Sequence, residues 1–372
     1  MSKMLPALPK SFGRLSEVFT SALAAVSGEP NSLNFATREK YVVILVDGLG
    51  SHNLEAAKGH ARFLTSQTAR KISCWFPSTT AASLMSLSLA LRPGQHPFIG
   101  YQVFDRIQGK VMNLLSGMNE EQGSELRSGF DTADELAGRA NVAFTFIGPA
   151  AYETSGFTAS FLPSASYVAA QSVADRFNHA AKRLAVKGRE VIYLYVPELD
   201  QIAHAKGWQH LSWASQLEEI DALAKNLASH LLHNHALVLT ADHGVIDVDI
   251  SQHIYLEEIF ECDEIVAVAG DTRALYLYLK AEAHLEEIQI GLQTALAKRA
   301  VAVTPKQLRD EGYWPEFSDL ASRFEPDLVV LATTKVALYH RDFAKPQSLK
   351  MIAHHGSVSA EELVVPLITW GA

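Results

Sequence analysis

Cysteine is almost absent from this chain: Cys74 and Cys262 are the only two in 372 residues, too few for a disulfide framework or a cysteine-based zinc site. They read as reduced core thiols. No apolar stretch is long enough to span a bilayer. Near the N-terminus Lys3 and Lys10 flank Pro6 and Pro9, with none of the roughly 7-to-15-residue apolar run of a secretory signal, so a cytoplasmic protein is expected. An excess of basic charge is missing too. With 32 Lys and Arg against 41 Asp and Glu the formal net charge is -9, which gives no general attraction to a nucleic-acid polymer or an anionic membrane. Small phosphorylated molecules remain open as partners, because bound metal ions can reverse the local field.

What is present is ample core material, with 48% hydrophobic residues and 20% charged, the balance of an ordinary globular protein. Residues 14–27 read as a short amphipathic helix. Tyr41–Val46 is a continuous apolar run rich in β-branched residues, as expected of a strand buried on both faces. Similar runs recur at Val142–Ile147, Val191–Val196, Ala236–Thr240 and Leu328–Ala332. Helical periodicity fills Ser166–Val186 and Trp213–Leu232 between them. The alternation predicts an α/β fold: a mostly parallel central sheet with helices on both faces, with residues 1–372 expected to form one domain. Residues from about 250 to 325 are more mixed in polarity and are expected to form a smaller inserted subdomain.

In open α/β sheets ligands gather at the carboxyl ends of strands, and the acids and imidazoles of this chain fall there. Asp47 directly follows the first apolar run, in Asp47-Gly48-Leu49-Gly50; alone it reads equally well as a helix cap or turn former. Asp200 and His204 follow the run ending at Val196, and their i, i+4 spacing puts both on one helical face. Asp242 and His243 follow Ala236–Thr240 and precede Gly244, where divergent neighbouring donors suit a metal. His354 and His355 precede Gly356 near the C-terminus. By contrast His233, His235 and His253 read as surface or packing residues. Each motif has an ordinary explanation, but the set does not: three Asp and three His provide two three-ligand groups with mixed oxygen and nitrogen donors. A nucleophile is visible in Phe76-Pro77-Ser78-Thr79-Thr80. Pro77 disfavours helix just before it and Ala81 onward favours it, so the hydroxyls lie near a helix N-terminus, where backbone N–H groups attract phosphate.

The order Asp-Gly, Phe-Pro-Ser-x-Thr, Asp-x-x-x-His, Asp-His-Gly, His-Gly resembles the alkaline phosphatase superfamily, most closely its nucleotide pyrophosphatase/phosphodiesterase branch. The resemblance implies that Asp47, Asp242 and His243 bind one metal ion and Asp200, His204 and His355 a second, with zinc the expected metal and manganese the alternative. It makes Thr80 the nucleophile, with Thr79 as the fallback, in a two-metal cleavage of a phosphodiester or nucleotide pyrophosphate through a phosphothreonine intermediate. The substrate it implies is a small phosphorylated molecule such as a nucleotide. The stretch Glu361–Leu367 is similar to the one that follows the last ligand in this superfamily.

Two departures stand out. Ala81-Ala82-Ser83 replaces the usual Phe-Pro-Asn, and Tyr101 stands where the family carries an Asn that helps hold a phosphate oxygen; a phenol can donate one hydrogen bond in its place. Tyr152 leads the candidates for stacking on a leaving group, ahead of Phe157, Phe98 and Trp75. No Arg lies between Arg70 and Arg92, which favours a diester over a dianionic monoester unless Arg106, Arg176 or Arg273 folds into the site. A sulfatase is disfavoured because Cys74-Trp75-Phe76-Pro77 has the wrong spacing. The alternatives are a phosphomonoesterase, a phosphonate hydrolase or a phosphosugar mutase with the same ligands, and, in a different class, a non-catalytic metal- or nucleotide-binding protein.

Overall fold

The computed structural model describes residues 5–67 and 69–371. Its strands in chain order are β1 (Lys40–Val46), β2 (Arg70–Ser73), β3 (Gln102–Asp105), β4 (Lys110–Asn113), β5 (Ala143–Pro149), β6 (Ser166–Ala170), β7 (Glu190–Val196), β8 (His235–Thr240), β9 (Ile246–Asp247), β10 (His253–Tyr255), β11 (Ile265–Asp271), β12 (Ala274–Leu279), β13 (Ala300–Val303), β14 (Leu328–Ala332), β15 (Ala337–Tyr339), β16 (Ala353–His354) and β17 (Val364–Trp370). Seven build the main sheet in the order β2-β17-β8-β1-β7-β5-β6; six build a second sheet in the order β13-β14-β12-β11-β3-β4; β9 pairs with β16 and β10 with β15.

The main sheet is mostly parallel. β1 lies between β7 and β8, and β5 between β7 and β6, all in parallel register. β17 alone runs antiparallel, bridging β8 and β2. Every residue of β1, β7 and β8 is buried. Because successive side chains point to opposite faces, unbroken burial means that both faces are covered. The helix Val18–Ser27 packs on β1 and β7, and the helix Val173–Leu184 on β5, β6 and β7.

The second sheet is antiparallel throughout. It takes β11, β12 and β13 from the stretch between about 250 and 325 and β3, β4 and β14 from outside it. Leu328–Ala332, expected to join the parallel sheet, pairs instead with β12 and β13; a short buried run does not say which of two sheets it enters. The helical reading of Ser166–Val186 is corrected as well: β6 occupies its start, and the helix begins only at Val173, where the Ser172 side chain accepts the Asp175 N–H. Ser172 is thus an N-cap, and it splits the periodic stretch in two. Among the described residues no helix is long and apolar enough to cross a membrane.

Candidate metal centre and active site

The carboxyl ends of β1, β7 and β8 lie side by side, and each leads into one of the expected motifs. Asp47 follows β1, and its N–H donates to the Val196 carbonyl at the end of β7 (3.0 Å). Asp200 and His204 sit on the helix Glu198–Lys206 that follows β7, with Asp200 Oδ2 3.0 Å from His204 Nε2. Asp242 and His243 come just after β8. The chain turns at Gly48 with φ +74°, and a Cβ there would lie 2.8 Å from Asp200 Oδ1, so glycine is required on both counts. At Gly244 a Cβ would meet the Glu361 carbonyl at 2.1 Å, so close approach of the C-terminal segment is what excludes a side chain.

His355 arrives from the far end of the chain. Ser78 latches it there: the Ser78 carbonyl is 2.9 Å from His355 Nδ1, Ser78 Oγ donates to the Ser357 carbonyl, and the Gly356 N–H donates to Ser78 Oγ. Bonding through Nδ1 leaves His355 Nε2 free for the site. The rings of His355 and His243 stack at 3.8 Å between centroids. His354 faces elsewhere, bonded to Thr272 Oγ1 through Nδ1 (2.8 Å).

Two clusters result. Donor atoms of Asp47, Asp242 and His243 lie within 4.8 Å of one another, and so do those of Asp200, His243 and His355. The first is the set that the family resemblance implied. In the second His243 is shared, while His204 stands beside Asp200 with its Nδ1 fixed by the Ala353 carbonyl (2.8 Å). Thr80 opens the helix Thr80–Leu89, and its Oγ1 is 3.1 Å from His243 Nε2. Thr79 occupies the N-cap position, yet its hydroxyl is buried and makes no hydrogen bond. It is therefore not acting as a side-chain cap.

The donor set fits divalent cations on a direct observation. Asp47 Oδ1, Asp200 Oδ1 and Asp242 Oδ2 are all buried without a hydrogen-bond partner, in a protein interior where an uncompensated carboxylate oxygen is costly. Burial, then the charges of Asp242 and Asp200, raise the Asp47 carboxyl well above its usual value. Burial alone would raise Asp200 too, but the imidazoles of His204, His355 and His243 bring it below the usual range. Burial and the nearby His243 hold His355 well below its ordinary value, which favours the neutral imidazole that metals bind.

A cleft of about 410 Å³ opens onto these groups. Thr80, Tyr101, Tyr152, His204 and Asp200 line it. Phe98 and Phe157 belong to the hydrophobic core instead, and the Trp75 ring is taken up by cation–π contacts with the guanidiniums of Arg14 and Arg92. The three distant arginines also stay out: Arg106 pairs with Asp327, Arg176 with Glu198 and Arg273 with Glu362. Two groups escaped the sequence reading. Asp271, at the end of β11 in the second sheet, also lines the cleft, with Oδ2 3.8 Å from His355 Nδ1, and burial pushes its carboxyl up to about 6. Tyr195 donates its hydroxyl to Asp47 Oδ2. Its position one residue before the end of β7 was a usable signal once β1 and β7 were known to pair; Asp271 offered none, because nothing in the sequence joins β11 to the main sheet.

The model of the type I phosphodiesterase / nucleotide pyrophosphatase family matches residues 41–357. The chain belongs to that family. This phosphodiesterase-family chain is similar in fold to human ectonucleotide pyrophosphatase/phosphodiesterase 5, at 16% identity and a TM-score of 0.70, over 89% of this chain and 87% of that one. The murine protein of the same name matches at 16% identity and a TM-score of 0.67, over 88% and 87%. An inactive variant of it, solved in complex with AMP, matches equally well. No curated protein sequence matches the chain. Family membership makes it a hydrolase of the phosphodiesterase/nucleotide pyrophosphatase kind.

Proposed function

We propose that this enzyme cleaves a phosphodiester or nucleotide pyrophosphate bond in two steps, with Thr80 as the nucleophile, in a site built for two divalent ions. The observation that carries the reading is the position of Thr80 Oγ1, 3.1 Å from His243 Nε2, the one imidazole common to both donor clusters. Asp47, Asp242 and His243 would hold one ion and Asp200, His204 and His355 the other; the mixed carboxylate and imidazole donors favour zinc, with manganese second. Bound ions would lower the pKa of the threonine hydroxyl and offset charge on the phosphate oxygens.

Thr80 Oγ1 forms a bond to phosphorus while the bond to the leaving oxygen breaks in line. Water then attacks the phosphothreonine ester and releases Thr80. The N-terminal N–H groups of the helix Thr80–Leu89 face a phosphate placed at Thr80. Tyr101 supplies a phenolic donor, and Tyr152, which also lines the cleft and accepts a hydrogen bond from Gln201 Nε2 on its hydroxyl, a stacking surface for a base or aryl group. A diester is favoured over a dianionic monoester because Lys345 is the only lysine or arginine lining the cleft among the described residues. A small nucleotide is the proposed substrate class, in keeping with AMP bound to the murine relative. Acid quenching during turnover, followed by peptide mass mapping, tests the two-step path: a phosphoryl adduct on Thr80 is expected, and an adduct on Thr79 alone would contradict it.

A further inference from the structure

Asp47 has two oxygens in different surroundings. Oδ2 accepts the hydroxyl of Tyr195, whereas Oδ1 is buried without a hydrogen bond and lies 3.4 Å from His243 Nε2. The pairing of β1 with β7 produces this contact: Tyr195 stands opposite Leu45 and Val196 opposite Val46. Leu45 and Asp47 project to the same face, so Tyr195 projects to that face too, one step behind Asp47 along the sheet. The phenol has little freedom to move. Its ring stacks on Tyr193 at 6.3 Å and approaches Tyr152 at 6.3 Å, and only 7% of the residue is exposed.

From this geometry we infer that Tyr195 is a positioning residue that fixes the rotation of the Asp47 carboxylate, so that Oδ1 alone is turned toward His243 and Asp242 for metal binding. The inference rests on the reading of Asp47 as a metal ligand. A carboxylate that ligates a cation is commonly held through its other oxygen, and loss of such a partner typically weakens metal affinity by roughly 10- to 100-fold. Without the phenol, Asp47 would have to order itself on binding, and Oδ2 would be left unpaired in a buried place.

The same strand supplies a matched control. Tyr193 lies two residues earlier on the same face, is fully buried, and its hydroxyl has no hydrogen-bond partner. Tyr193→Phe therefore removes an equivalent oxygen with no bond to Asp47. The experiment is zinc titration of the chelated protein against a competing chelator, for wild type, Tyr195→Phe and Tyr193→Phe, with the metal-free thermal midpoint of each. Weakening of one zinc equivalent by about 10- to 100-fold in Tyr195→Phe alone, with the metal-free midpoint still well above the titration temperature, is the expected result. Equal or tighter zinc binding in Tyr195→Phe, or equal weakening in both variants, overturns the inference while leaving Asp47 a ligand. Failure of wild type itself to bind zinc or manganese would instead overturn the metal-site reading beneath it.

Discussion

Thr80 Oγ1 and His243 Nε2 are 3.1 Å apart, although 163 residues separate them in the chain. The helix Thr80–Leu89 points its first hydroxyl at the imidazole that follows β8, while the neighbouring Thr79 hydroxyl makes no hydrogen bond. Thr80→Ala is therefore expected to lower diester turnover by roughly a thousand-fold or more, the scale on which nucleophile loss is felt. Thr79→Ala should retain most of it. Steady-state rates on both variants, with circular dichroism to check folding, decide between the two hydroxyls.

The Arg273–Glu362 pair gives a stability prediction independent of catalysis. Both side chains are almost wholly buried, with Arg273 Nε 2.8 Å and Nη2 3.0 Å from the carboxylate. Glu362 also accepts the Ser357 N–H at 3.0 Å, and so braces the segment that carries His355. Arg273→Met leaves Glu362 charged and unpaired in the core, a change that costs about 3–5 kcal/mol. Urea unfolding should show a lower midpoint in Arg273→Met and recovery of much of the loss in a double variant with Glu362→Leu, since an apolar pair avoids the stranded charge.

Metal should stabilise the fold, because it would compensate carboxylates that are now buried together. Saturating zinc at about a hundred times its dissociation constant adds about 2.7 kcal/mol by mass action. Asp47→Asn removes the carboxyl that burial and the charges of Asp242 and Asp200 disfavour in its ionised form. The metal-free variant is expected to be at least as stable as wild type, yet to lose most of the gain on adding zinc. Thermal unfolding with and without zinc checks both halves.

Much of this was legible in the sequence. Unbroken apolar runs announced β1, β7 and β8, and three of the motifs stood just beyond such runs, so Asp47, Asp200 and Asp242 could each be placed at the carboxyl end of a strand from the sequence, whereas the adjacency of those strands could not. The i, i+4 step of Asp200 and His204 likewise gave their common helical face. What stayed hidden depended on contacts between distant segments. Leu328–Ala332 has the burial of a core strand but edges that match β12 and β13, and periodicity carries no information about partners. Asp271 reaches the cleft only because the second sheet abuts the first, and His243 serves both clusters because its ring stacks on that of His355. Gly244 reads as a turn residue locally but is set by the approach of Glu361.

The measurement closest to the central claim is hydrolysis of bis(p-nitrophenyl) phosphate beside p-nitrophenyl phosphate by chelated protein and by protein restored with zinc or manganese. The chelated protein is expected to be inactive, metal to restore its activity, and the diester to be cleaved faster than the monoester. Undiminished turnover after chelation, or no diester cleavage by the metal-restored protein, would contradict that claim.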